Sequence, residues 1–289
     1  MQIYQALDWA KSLGIEAIDR QILLLHCLGQ PTHNKAFLIS HDLDALTLEQ
    51  ESNYSQLIKR CSAGEPVSYL TGSKEFYGLD FKVTPATLIP RPDTETLVNW
   101  ALDCMSGDLD ISSSPRKILD LGTGSGCIAI SLGKSITNAQ VWATDLSEIA
   151  LEVARENAAT HRLKIHFCQG SWFDALGKEQ SSPSFDLIVS NPPYIAELDP
   201  HLADLAFEPK SALVSGEAGL DAFKKILSTT HQHLKPGGWL LFEHGYDQGA
   251  TLRALFEQLG FESVQSRSDL AGICRCTGGK RPKNGIIEP

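Results

Sequence analysis

Over the first 72 positions apolar residues recur at the three-to-four spacing of short amphipathic helices: Ile22 to Leu25 and Leu28, then Leu43, Leu46 and Leu48, then Leu57 and Ile58. Thr47 lies three residues before Gln50, the spacing of a capping box, and Gly29 with Pro31 breaks one helix from the next. The period then changes. Glu75-Phe76-Tyr77-Gly78-Leu79-Asp80-Phe81-Lys82-Val83 sets aromatic and β-branched residues on either side of a glycine, which predicts a β-hairpin connecting two domains. Beyond it, short apolar runs alternate with helical periods. Strands are expected over 117–121, 140–144, 164–169, 185–190, 239–243, 261–265 and 273–277. Helices are expected over 96–105, 127–133, 147–161, 220–234 and 248–259, with Pro236-Gly237-Gly238 ending the fourth and a Ser/Gly/Asp-rich linker over 106–115. The reading is an α/β protein: a seven-stranded, doubly wound, Rossmann-like sheet (88–277), a small all-helical N-terminal domain (1–72) and a hairpin connector (73–87). The polar, Gly/Pro-rich tail, 278–289, is expected to fray.

Two stretches carry chemistry. The first is the buried-strand pattern Phe185-Asp186-Leu187-Ile188-Val189-Ser190 running into Asn191-Pro192-Pro193-Tyr194. Asn191 falls at the carboxyl end of a strand, where open α/β sheets place their ligands. Two prolines lock φ and remove two backbone donors, so the corner offers mainly carbonyl oxygens. They also push Asn191 into an extended conformation. Tyr194 adds a flat aromatic face, and the whole predicts a rigid slot for a planar group with N–H bonds to donate.

The second stretch is Gly122-Thr123-Gly124-Ser125-Gly126, a turn between the first sheet strand and its helix. Such a turn lets backbone approach a ligand closely. The spacing is G-x-G-x-G, with Cys127 where the dinucleotide pattern places its third glycine. Asp145 ends the second strand about 20 residues on, where an acid accepts hydrogen bonds from ribose hydroxyls, while Ser147 supplies the helix cap. Together these favour a nucleoside cofactor, and S-adenosyl-L-methionine over a nicotinamide dinucleotide.

Composition narrows the class. The 289-residue chain has a formal charge of −10, which argues against gripping nucleic acid over a broad basic surface. Its seven cysteines include no C-x-x-C pair, and no targeting profile opens the chain, so reduced thiols and a cytoplasmic location are expected. No apolar run reaches the roughly 20 residues of a membrane span. No metal-ligand spacing appears.

Beyond these stretches, the chain carries Glu65-Pro66, Tyr69-Leu70-Thr71-Gly72, Phe76-Tyr77-Gly78, residues 88–95, Trp172-Phe173, Phe207-Glu208-Pro209, Glu243-His244-Gly245 and Asp269-Leu270-Ala271-Gly272. With Asp120 to Gly126, Asp145 and Asn191 to Tyr194, this set resembles the release-factor glutamine methyltransferases over nearly the whole chain. That family uses S-adenosyl-L-methionine to methylate the side-chain amide nitrogen (N5) of the glutamine in the Gly-Gly-Gln motif of peptide chain release factors. The resemblance implies that Gly122, Thr123, Gly124, Ser125, Gly126, Asp145 and Trp172 hold the cofactor. It implies that Asn191, Pro192, Pro193 and Tyr194 hold the glutamine, with Asn191 also close to the cofactor. The N-terminal domain would help dock the protein substrate. Two positions differ from the family pattern: Ser171 stands where the family carries an Asp, and Ala206 where it commonly carries an Arg.

An amide nitrogen is a poor nucleophile because its lone pair is delocalised into the carbonyl. The expected catalytic groups are therefore acceptors: the Asn191 side-chain oxygen and the Pro192 carbonyl for the two N–H bonds, and Tyr194 stacked on the amide plane. His201 and His244 read as surface or structural histidines. Two other readings compete: an adenine-N6 or guanine-N2 nucleic-acid methyltransferase, which the acidic charge opposes, and a silent binding module, which the intact glycine turn and tetrapeptide oppose.

Overall fold

The computed structural model describes residues 1–106, 114–177 and 184–283; most of the predicted linker and the end of the tail lie outside them. The chain divides into two compact units, Met1–Ser73 and Lys74–Pro289. The first unit is helical: α1 (Ile3–Ser12), α2 (Ala17–Cys27), α3 (Lys35–Ser40), α4 (Leu48–Ser62) and α5 (Val67–Thr71). Their apolar faces meet in one core that includes Ile3, Leu23, Leu24, Leu25, Tyr54 and Ile58. The capping box forms as read: the Thr47 hydroxyl accepts the Gln50 N–H at 3.1 Å and the Gln50 carbonyl oxygen accepts the Thr47 N–H at 2.9 Å.

The second unit begins with the hairpin, β1 (Ser73–Phe76) and β2 (Leu79–Lys82), whose Phe76 and Phe81 sink into the core of that unit. Next come α6 (Glu95–Ser106), β3 (Arg116–Leu121), α7 (Cys127–Ser135), β4 (Ala139–Asp145), α8 (Glu148–Thr160), β5 (Ile165–Gln169) and β6 (Phe185–Ser190). They are followed by α9 (Asp221–Thr230), β7 (Leu234–Glu243), α10 (Gly249–Gln258), β8 (Glu262–Ser268) and β9 (Cys274–Lys280). The seven-stranded sheet runs β5-β4-β3-β6-β7-β9-β8. Strands β5, β4, β3, β6 and β7 are parallel, and β9 enters antiparallel between β7 and β8. The order reverses at β3, so β4 and β6 flank it and open a crevice above its carboxyl end. One core packs α6 and α7 against one face of the sheet; a second packs Phe173, Phe223, Phe242 and Phe256 against the other. No helix among the described residues is long and apolar enough to cross a membrane.

Two local expectations are corrected. Pro236-Gly237-Gly238 does not end a helix; α9 stops at Thr230 and these residues lie inside β7. Pairing of β6 with β7 starts at Phe185 and Leu234 and shifts register before Leu187 and Trp239, so the Pro-Gly-Gly run is absorbed as an irregularity within the strand. The expected frayed tail also starts too early, because Gly278, Gly279 and Lys280 complete β9. A Cβ on Gly278 would sit 2.5 Å from the Leu241 side chain and 2.6 Å from the Leu240 carbonyl. Glycine there serves close strand packing rather than looseness.

Candidate functional site

A cleft of about 240 Å³ opens at the carboxyl ends of β3, β4 and β6. Its floor is the glycine turn, in which Gly122, Gly124 and Gly126 take φ of +73°, +55° and +84°, values that favour residues without a Cβ. The Gly122 and Thr123 N–H groups both donate to the Thr144 carbonyl at 2.9 Å, tying the turn to β4. Trp172, itself at φ +51°, lays its ring so close that a Cβ on Gly122 would stand 3.3 Å from it. Backbone held in this region by a bulky residue costs about 1–3 kcal/mol and marks a position where the surrounding structure fixes the ring.

Asp145 has a double role. Its Oδ2 accepts the Gly124 N–H and its Oδ1 the Ser147 N–H, each at 2.9 Å. The acid thus braces the glycine turn and keeps free lone pairs on the cleft side. Burial raises its pKa, against three backbone N–H donors that hold it down. Helix α8 is capped by Ser147, whose hydroxyl accepts the Ala150 N–H at 3.2 Å.

The sequence-derived site residues converge, with three exceptions. Gly122, Thr123, Gly124, Ser125, Asp145, Trp172, Asn191 and Pro193 line the cleft; Gly126, Pro192 and Tyr194 do not. Asn191 Oδ1 is buried and has no hydrogen-bond partner among the described residues. The corner that carries it is pinned from behind. The Tyr194 carbonyl accepts the Gln248 side-chain N–H at 3.0 Å, and the Gln248 oxygen accepts the Gly245 N–H at 2.9 Å. Ser190 donates its hydroxyl to the Leu121 carbonyl at 2.7 Å, locking β6 to β3 one residue before Asn191. Tyr194 is half-buried against the second core, and burial followed by the Glu243 charge raises its pKa.

The opposite wall comes from residues 86–91 and 209–212, which the motif reading did not place at the site. Arg91 forms an ion pair with Glu208, and the other oxygen of that buried carboxylate accepts the Ile89 N–H at 3.1 Å. The arginine between two prolines therefore clamps the two segments of this wall together. Ser171, also in the lining, accepts a hydrogen bond from Lys225 Nζ at 2.8 Å.

Two buried acids lie beneath the cleft. Asp120 is fully buried and its pKa is pushed up to about 7 by burial, although the Thr123 hydroxyl (2.6 Å) and the Ala129 N–H (3.2 Å) donate to it. Glu243 is likewise pushed up to about 7 by burial, countered by the side chains of Thr94 and Asn191. Neither acid has an ion-pair partner among the described residues. An acidic residue closing an apolar strand, as in Trp239-Leu240-Leu241-Phe242-Glu243, was the available sequence signal for the second. The two histidines are structural. His244 is buried with Nδ1 2.7 Å from the Gly245 carbonyl and Nε2 2.8 Å from the Thr277 hydroxyl, and His201 is exposed beside Asp199.

Comparison with known proteins agrees with this geometry. A methyltransferase-domain family profile matches residues 112–283, and a PrmC N-terminal domain profile matches residues 5–72. A release factor glutamine methyltransferase of Burkholderia pseudomallei is 44% identical over 285 residues, covering 96% of each chain. Another, from Vibrio cholerae, is 45% identical over 269 residues, covering 91% of this chain and 89% of its own. Among solved structures, the N-terminal domain of human METTL16 superposes with a TM-score of 0.55 at 22% identity, covering 78% of this chain and 84% of that one. A methyltransferase from Pyrococcus furiosus gives 0.51 at 19% identity, covering 80% and 99%. These two share the fold.

The raised pKa of Asp120 has a consequence for stability. Between about pH 4 and pH 7 the folded protein keeps a proton that the unfolded chain has released. The stability this gives is complete below the unfolded value and is lost as pH rises through about 7. Asp120→Asn, a neutral stand-in for the protonated acid, is expected to gain on wild type as pH rises. Its stability relative to wild type should increase by on the order of 2 kcal/mol between pH 5 and pH 8, measured by urea unfolding at both pH values. A difference independent of pH would show that Asp120 is ionised throughout.

Proposed function

Because the chain belongs to the release factor glutamine methyltransferase family, we propose that this cleft methylates the side-chain amide nitrogen of the glutamine in the Gly-Gly-Gln motif of peptide chain release factors, with S-adenosyl-L-methionine as methyl donor. The observation that carries the reading is Asn191 Oδ1, a buried acceptor without a partner among the described residues, on the cleft-lining corner beside the glycine turn. The slot asks for an N–H donor, and the glutamine amide provides two.

The cofactor suits the residues present. The glycine turn brings backbone close to the cleft, Asp145 keeps lone pairs for ribose hydroxyls, and Trp172 offers a fixed aromatic edge. When bound, S-adenosyl-L-methionine supplies a methyl group on a positively charged sulfur. The protein's task is to present the amide nitrogen. We assign its two N–H bonds to Asn191 Oδ1 and to the carbonyl of Pro192, a residue that adjoins the cleft-lining Pro193 without itself lining the cleft; this holds the nitrogen in place and disperses the positive charge that develops as the N–C bond forms. Tyr194 and the Pro-Pro corner exclude water from the amide face. The displaced proton leaves to solvent. His244 takes no part, since both its ring nitrogens are engaged.

Recognition of the whole substrate needs more than this slot. An acceptor pair recognises an amide but does not distinguish one glutamine from another, so remote contacts must supply specificity. We assign that docking role to the helical unit. The direct test is transfer of labelled methyl from S-adenosyl-L-methionine to an intact release factor, to its Gln→Ala variant and to a short Gly-Gly-Gln peptide. The intact factor should be labelled, the variant should not, and the peptide should react far more slowly. Labelling of the Gln→Ala variant would refute the assignment.

Asn191→Ala should lower kcat by on the order of 10² or more while cofactor affinity holds, the cost of losing a preorganised acceptor at the reacting nitrogen. Near-normal turnover would remove Asn191 from the mechanism. Asp145→Ala should raise the cofactor dissociation constant about tenfold or more in calorimetry, through lost ribose hydrogen bonds and a loosened Gly124 turn. An unchanged constant would leave Asp145 only its bracing of the glycine turn.

A further inference from the structure

Glu243 is an anomaly in the second unit. It ends β7, is 2% exposed, and its Oε2 has no hydrogen-bond partner among the described residues. Burying a carboxyl without a cation is costly. The cation whose charge reaches it, Arg275, is already committed at 3.0 Å to Asp93 and at 3.0 Å to Asp269. Strand packing does not require an acid at this position.

Register supplies a reason. In the parallel pair β6–β7, Ser190 stands opposite Phe242, so the next residues of the two strands, Asn191 and Glu243, lie side by side at the carboxyl ends. The side chains of Asn191 and of Thr94, from the turn before α6, both stand close enough to the Glu243 carboxyl to favour its charged form. A carboxylate only accepts, so the partner that suits the ionised Glu243 is the Asn191 NH₂; a protonated carboxyl keeps an accepting carbonyl oxygen for the same NH₂ beside its own O–H. Once the NH₂ is held there, Oδ1 is the atom left over, and Oδ1 is buried without a partner among the described residues. A flipped amide would set oxygen against oxygen behind and offer an NH₂ to the substrate's NH₂ in front.

We propose that Glu243 is a positioning residue for the methyl transfer: its carboxyl holds the Asn191 side-chain NH₂ and so fixes Oδ1 as the atom presented to the glutamine amide. The proposal rests on the reading of Asn191 given above. Glu243 touches neither substrate nor cofactor and acts only through that amide.

The test is a double-mutant cycle on the full-length protein, with an intact release factor as substrate. Glu243→Ala should lower kcat by at least tenfold, with cofactor affinity by calorimetry within about twofold of wild type. That affinity also confirms that the cleft has folded. Glu243→Gln retains a carbonyl acceptor and should recover most of the loss. In an Asn191→Ala background, Glu243→Ala should cost nothing further, because the group it positions is gone. Three results would overturn the proposal: unchanged kcat in Glu243→Ala, a Gln variant no better than Ala, or an equal loss with and without Asn191. If Asn191→Ala alone leaves turnover intact, the reading of Asn191 itself falls and the positioning role falls with it. The two failures are therefore distinguishable within one set of measurements.

Discussion

Parallel register is the constraint on which the site depends. Leu121 of β3 pairs with Thr144 of β4 and with Ser190 of β6, and Ser190 pairs with Phe242 of β7. The next residue on each of those four chains is Gly122, Asp145, Asn191 or Glu243. The glycine that opens the turn, the acid that braces it, the asparagine proposed as the amide acceptor and the acid behind it therefore stand in one row at the ends of four adjacent strands. A one-residue slip of any strand would move its member out of the row and turn its side chain to the other face. The slip is resisted by apolar residues buried on both faces, such as Leu119 and Ile188 toward one core and Leu187 and Val189 toward the other. It is also resisted by the Ser190 hydroxyl on the Leu121 carbonyl.

The row explains how the molecule tolerates two buried acids. Asp120 sits two positions before Gly122, the row's member at the end of β3, and holds the turn that follows through Thr123 and Ala129. Glu243 sits in the row beside Asn191. Both carry pKa values near 7 for the same first reason, burial, so each is uncharged for part of the physiological range. Hydrophobic replacements would lower the desolvation cost but would remove the donors and acceptors that shape the cleft floor. Stability is given up where geometry is needed.

What the sequence made legible follows from how local each signal is. The glycine turn, Asp145, Ser147 and the Asn-Pro-Pro-Tyr corner are each written in a few consecutive residues, and all but Gly126, Pro192 and Tyr194 are found on the cleft or capping its helix. The Thr47 capping box is equally local. The wall opposite was not legible, because it exists only where Arg91 meets Glu208 across more than a hundred residues. Glu243 was hidden for a related reason: its partner Asn191 is adjacent only through strand pairing. The errors have the same origin. Pro236-Gly237-Gly238 and Gly278-Gly279 look like breakers when read along the chain. Pairing with β6 and close packing against Leu240 and Leu241 make them parts of strands.

The corner's rigidity bears on how a side-chain amide, a weak nucleophile, comes to react. Asn191 and Pro193 face the cleft, while the rest of the corner is tied to neighbours that are themselves strand or helix ends. Gln248 ties the Tyr194 carbonyl to the β7–α10 turn, and the Ile195 backbone exchanges hydrogen bonds with Leu213 and Ser215 at 2.8 and 3.0 Å. In the reaction proposed above, an acceptor held this way would not need to reorganise as charge builds on the nitrogen, and that is where an electrostatic contribution to the rate is largest. The same fixity makes the slot undiscriminating, since nothing in it can adjust to features of the substrate beyond the amide. On the proposed reading, chemistry and selection are carried by different surfaces, and the cleft is lined only by residues of the larger of the two units.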